Sequence, residues 1–143
     1  MHRATPAGFT LIELLVTIAI IGILGTYAWP SYVDYIRRGR IAEATGQLST
    51  LRISMEQYYQ DNRNYGTGTS CGIAMPAAGQ FSYVCQLQDG GQGFVIAASG
   101  NRGSVSDFTY QIDQNGLRRT MALPAGWGTV PQDCWIASRR ETC

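Results

Sequence analysis

Residues 8–30 read GFTLIELLVTIAIIGILGTYAWP. From position 9 to 29 every residue is apolar or weakly polar except one, Glu13. A helix of that length spans about 30 Å of hydrocarbon. A secretory signal has a shorter apolar core, about 7–15 residues, closed by a small-x-small cleavage site. Here the run is longer and its C-terminal flank, TYAWPSY, is aromatic. An ionised carboxylate at the centre of a bilayer costs about 2.5–3.5 kcal/mol. Helix propensity gives no reason to place one there, because leucine serves as well.

The rest of the composition narrows the chemistry. The 143 residues leave room for one domain beside the apolar segment. Eleven basic residues, all arginine, face ten acidic ones, so no global field attracts nucleic acid or acidic partners. The one histidine, His2, precedes the apolar run. If the leader is removed, no imidazole remains for Ser-His-Asp or Cys-His catalysis or for a histidine zinc site. No phosphate-cradling glycine loop is present. The expectation is a protein without enzymatic activity, cofactor or metal.

Orientation draws on two opposed signals. Arg3 precedes the span, whereas Arg37, Arg38 and Arg40 follow it, which alone would keep the C-terminal part in the cytoplasm. Four cysteines in the C-terminal half point instead to an oxidising compartment.

The stretch GFTLIELLVTIAIIGIL, after the short basic leader MHRATPAG, resembles the type IV prepilin signature. The resemblance implies that a prepilin peptidase cuts between Gly8 and Phe9 and that Phe9 becomes N-methylated. It further implies that Glu13, fifth in the mature chain, neutralises the amino terminus of a neighbouring subunit during assembly. A buried carboxylate with a buried ammonium partner is far cheaper than either alone. The partners implied are other pilin subunits in a helical filament, the peptidase, the inner-membrane assembly machinery, and the membrane before assembly. The headgroup would be periplasmic first and part of an extracellular pilus afterwards, which decides the orientation for the cysteines.

Beyond Pro30 the pattern remains helical. Ala44, Leu48, Leu51, Met55 and Tyr58 recur at spacings of four and three, while Arg40, Glu43, Arg52, Glu56 and Arg63 occupy the other faces. The helix is expected to run from about 9 to 64, fading at the stop signals Asn62, Asn64 and Gly66. Pro30 removes one backbone donor and predicts a kink, and Gly22 and Gly25 weaken the turns before it. The resemblance adds that this stretch unwinds inside a filament.

Residues 67–80 read as a loop. FSYVCQLQ (81–88) alternates with Phe81, Tyr83, Cys85 and Leu87 on one side, and GFVIAAS (93–99) with Phe94, Ile96 and Ala98. FTYQIDQNGLRRTMAL (108–123) centres on Asn115-Gly116, the pair favoured in a two-residue hairpin turn. That turn would set Phe108 opposite Leu123, Tyr110 opposite Met121 and Asp113 opposite Arg118. DQNG lacks the spacing and closing glutamate of a calcium loop. Four strands packed on an amphipathic half-helix make an α+β fold, the pilin roll.

The expected organisation is a leader at 1–8, a transmembrane and filament-core helix at 9–29, and a soluble headgroup at 30–143. Within the headgroup, 30–64 is helix and 65–143 is loop, sheet and disulfide-closed tail. Four cysteines permit three pairings; nearest-neighbour closure gives Cys71–Cys85 and Cys134–Cys143. No C-x-x-C spacing suggests redox catalysis or a zinc knuckle.

The late CW and the helix end YYQDNRNY resemble small type IVa minor pilins of the PilE and ComP kind. The main reading is a structural pilus subunit. Two others share its N-terminus: a DNA-uptake receptor displayed on the pilus, and a type II secretion pseudopilin. Candidate DNA contacts are Arg118, Arg119, Arg139 and Arg140, with Trp127 and Trp135 as stacking platforms. From Gly66 onward five arginines meet five acidic residues, so no basic excess supports that role.

Overall fold

The computed structural model describes residues 8–139 and 141–143. The chain divides into two compact units, Met1–Tyr35 and Ile36–Cys143. Helix α1 (Leu11–Asn62) contributes its first part to one and its second part to the other.

In the first unit, residues 8–32 are exposed throughout, and a window of α1 reaches a mean hydropathy of 2.1. The helix starts on Thr10, whose Oγ1 accepts a hydrogen bond from the Glu13 amide at 3.3 Å. Polar side chains within the apolar run turn back onto the helix: the hydroxyls of Thr17 and Thr26 donate to the carbonyls of Glu13 and Ile23. Helical structure carries through Gly22, Gly25 and Pro30. Pro30 therefore lies inside α1 and does not end it.

In the second unit α1 buries Ile41, Ala44, Leu48, Leu51 and Met55, alternating spacings of three and four as a core-facing stripe must. Tyr58, expected to extend that stripe, is only half-buried. Its ring lies where a Cβ on Gly72 would collide with it.

The stripe packs on one antiparallel sheet. Strands β3 (Phe81–Gln88), β4 (Gly93–Gly100), β5 (Thr109–Asp113) and β6 (Arg118–Ala122) lie in chain order. Phe81 on β3 and Phe94, Ile96 and Ala98 on β4 are buried, on the faces their alternation indicates. The segment expected to be a plain loop holds a two-residue ribbon, β1 (Gly66–Thr67) paired with β2 (Ser70–Cys71). The Cys71–Cys85 disulfide joins that ribbon to β3.

The β5–β6 register departs from expectation. Ile112 faces Arg118 and Tyr110 faces Thr120, one residue off the two-residue-turn pairing. The cause is Asp113. Its Oδ1 accepts from the amides of Asn115 and Leu117, both at 2.9 Å, and the Gly116 amide donates to its carbonyl at 3.0 Å. The loop is therefore three residues long, closed by Gly116 at φ 77°. A register shift at Thr109/Tyr110 then restores Thr109 opposite Ala122. Met121 consequently faces solvent rather than Tyr110.

The outer edge of β6 is covered by the tail. Thr120 and Gln132 exchange backbone hydrogen bonds at 2.9 and 3.1 Å. The buried Thr120 hydroxyl donates to the Cys134 carbonyl at 2.6 Å and accepts from the Ile136 amide at 3.0 Å. Tyr110 donates to the Ile136 carbonyl at 2.6 Å. The Cys134–Cys143 disulfide closes the tail.

Candidate functional site

Two groups of residues carry the functional expectations, one in each unit. The first lies at the start of α1. Gly8 and Phe9 precede the helix and are exposed. Glu13 occupies the third helical position after Thr10, so T-x-x-E forms the backbone half of a capping box. This local reason for an acidic residue was readable in the sequence as Thr10-x-x-Glu13, and the apolar run obscured it. A carboxylate in the first turn of a helix gains about 0.3–1 kcal/mol from the helix dipole. That is well short of the cost of a charge in lipid. Leader residues 1–7 lie outside the described residues.

The second group is the set of arginines and tryptophans in the headgroup, which the fold divides in two. On β6, the Arg118 guanidinium sits 4.9 Å from the centre of the Trp135 ring. Trp135 is itself fixed by an Nε1–H bond to the Gln111 carbonyl at 2.9 Å. Its neighbour Arg119 pairs with Asp133 at 3.2 Å. Both side chains of that pair are open to solvent, and such a bridge contributes only about 0–1 kcal/mol. Arg118 and Arg119 are exposed.

Trp127 does not act as a stacking platform. It is 5% exposed and packs edge-on against Phe108 at 4.9 Å. The guanidinium groups of Arg37 and Arg139 lie over its ring at 5.4 and 5.9 Å. A tryptophan flanked by glycines in a loop-rich stretch reads as exposed; the fold instead makes it a core residue, roofed by two cations. Arg140 lies outside the described residues.

Two arginines of the helix also have structural partners. Arg37 Nε donates to the Ser104 carbonyl at 2.9 Å, and Arg52 Nη2 to the Gln114 carbonyl at 3.2 Å. Each ties α1 to a turn of the sheet. Only their helical phase was visible in the sequence, since their acceptors are backbone atoms about sixty residues away.

Among the described residues no cluster of His, Cys, Asp and Glu is arranged to hold a metal ion. Tyr65, buried and donating to Glu56 Oε1 at 3.1 Å, has its pKa pushed up to about 12, first by burial and then by that carboxylate. Burial, reinforced by Glu43, raises Tyr83 as well.

Residues 30–109 match the family model described as type IV minor pilin ComP, DNA uptake sequence receptor. Residues 3–29 match the prokaryotic N-terminal methylation motif. Fimbrial protein EcpC of Eikenella corrodens is 34% identical over 100 residues, covering 69% of this chain and 65% of that protein. The fimbrial protein of Neisseria meningitidis serogroup B is 38% identical over 82 residues, covering 57% and 48%. These matches thus span less than two thirds of either relative. A solved type IV pilin from Shewanella oneidensis is 25% identical, with a TM-score of 0.46, covering 65% of this chain and 99% of that one. With more than half of its length matched by the first family model, the chain belongs to the type IV pilin family, in the group described as minor pilin ComP, DNA uptake sequence receptor.

Proposed function

We propose that this chain is a structural subunit of a type IV pilus, made as a membrane-inserted precursor. Prepilin peptidase cuts after Gly8, Phe9 is N-methylated, and the inner-membrane machinery adds the subunit to other pilins through its N-terminal helix. The headgroup faces the periplasm before assembly and the exterior afterwards. The observation that carries this reading is Glu13, a lone carboxylate one turn into a fully exposed apolar helix. Only a partner amine in a similarly buried setting offsets its cost. Intact-mass measurement of the purified chain should give a mature protein beginning at a methylated Phe9, and Gly8→Val should retain the leader. A mature chain beginning at any other residue contradicts the proposal.

A second reading, display of a DNA-uptake receptor, is supported by the description attached to the match over residues 30–109. The cations available for it on β6 are Arg118, stacked on Trp135, and Arg119. Duplex binding by the mature chain in detergent micelles should then weaken steeply with salt. Arg118→Ala and Arg119→Ala should each flatten that slope by about 0.9. Absence of duplex binding at low salt leaves the structural role alone.

A further inference from the structure

The chain has four asparagines, Asn62, Asn64, Asn101 and Asn115. The side-chain amides of three are held. Asn62 Nδ2 donates to the Tyr58 carbonyl at 3.0 Å, and Asn64 Nδ2 to the Asn62 carbonyl at 2.9 Å. Asn64 Oδ1 also accepts from the Gly66 amide at 3.0 Å. Asn101 Nδ2 reaches the Gly79 carbonyl at 3.5 Å. Asn115 differs in two ways. It is exposed, and its side chain has no hydrogen-bond partner among the described residues. It is also followed by a glycine, Gly116, where the others are followed by Arg63, Tyr65 and Arg102.

Asparagine side chains are among the chemically labile groups of a protein, and a following glycine has no Cβ to hold its amide nitrogen off the asparagine side chain. That nitrogen can close a cyclic imide on Asn115 Cγ. The Gly116 N–H proton passes to a solvent base, the N–Cγ bond forms, the Cγ–Nδ2 bond breaks, and Nδ2 leaves as ammonia. Water then opens the imide. Attack at Cγ gives aspartate. Attack at the Asn115 main-chain carbonyl leaves the chain running through the former side chain, as isoaspartate. In sum a side-chain amide and a water become a carboxylate and an ammonium ion, with no oxidant or reductant.

The folded turn restrains the first step. The Gly116 amide already donates to the Asp113 carbonyl at 3.0 Å, and Asp113 Oδ1 holds the amides of Asn115 and Leu117, both at 2.9 Å. The attacking nitrogen is therefore released when the turn opens locally. We propose that Asn115 is a self-modification site, converted to aspartate and isoaspartate at a rate set by opening of the Asp113 turn. Isoaspartate lengthens the main chain of a loop whose length fixes the β5–β6 register. Either product adds a carboxylate to a turn in which Arg52 bonds the Gln114 carbonyl at 3.2 Å.

The test is to incubate the full-length chain in detergent micelles at mildly alkaline pH and to follow its tryptic peptides by mass and retention time. Cleavage after Arg102 and Arg118 puts Asn115 in the peptide 103–118, apart from the other three asparagines. The expected result is conversion in that peptide, with fragment ions locating it at Asn115 and the aspartyl and isoaspartyl products resolved. Asn62, Asn64 and Asn101 should remain amides over the same period. Asp113→Ala should speed the conversion about tenfold, through the turn opening that its lost hydrogen bonds allow, with unchanged far-ultraviolet circular dichroism confirming the fold. Absence of product at Asn115, equal conversion at the other asparagines, or an unchanged rate in Asp113→Ala would each overturn the proposal.

Discussion

Glu13 has a local place in the helix cap and, in the proposed function, a role in assembly, and substitution can separate the two. Its backbone amide is held by Thr10, and an acidic residue in the first turn gains up to about 1 kcal/mol from the helix dipole. Glutamine also suits that capping position, whereas leucine does not, and only glutamate carries charge for a neighbour's amine. Tyr65 offers a second single-residue test. Its folded-state pKa of about 12 exceeds the unfolded value of 10.0, so its contribution is complete below pH 10 and is lost as pH rises through 12. Alkaline titration of stability should therefore show a decline between about pH 10 and 12. Tyr65→Phe should make that decline shallower, the remainder coming from Tyr83 and Tyr110, whose pKa values burial also raises, and should cost about 0.5–1.5 kcal/mol at neutral pH for the lost bond to Glu56. An unchanged alkaline profile in Tyr65→Phe would assign the decline to another group.

The helix and the two central strands were legible because their periodicity is local. Ile41, Ala44, Leu48, Leu51 and Met55 repeat at the helical period, and Phe94, Ile96 and Ala98 at the strand period. The β5–β6 register was not, although its turn residues were. Asn115-Gly116 indicated a hairpin, but the loop length was decided by one carboxylate that binds two amides. Asp113→Ala should therefore cost about 1–3 kcal/mol, read as a lower denaturant midpoint at constant m-value. Asp113→Asn, which keeps an oxygen acceptor, should recover most of that loss. Equal destabilisation by both variants would mean that the charge, not the acceptor, sets the turn.

The headgroup is held by contacts of long sequence separation that composition does not announce. Trp127 joins the core through Phe108, and Thr120 and Tyr110 anchor the tail through the carbonyls of Cys134 and Ile136. The disulfides close loops with sequence separations of 14 and 9, each worth about 3 kcal/mol of chain entropy. The paired cysteines and the four strands could be read in order along the chain, whereas the tail's path over β6 depends on Thr120, a residue with no local signature.

The apolar residues 8–32 are exposed, and the proposed filament would cover them. The most direct measurement counts tagged subunits in sheared pili against the membrane pool, in cells whose other pilins are unaltered. Glu13→Leu should be processed at Gly8 and inserted in the membrane at least as well as the parent, since it removes a charge from the apolar run. It should nonetheless be absent from pili, because a neighbour's buried ammonium loses its partner at about 3–5 kcal/mol. Glu13→Gln, with its capping capacity intact, should fall between the two. Normal incorporation of Glu13→Leu would contradict the assembly role and leave Glu13 as a helix cap alone.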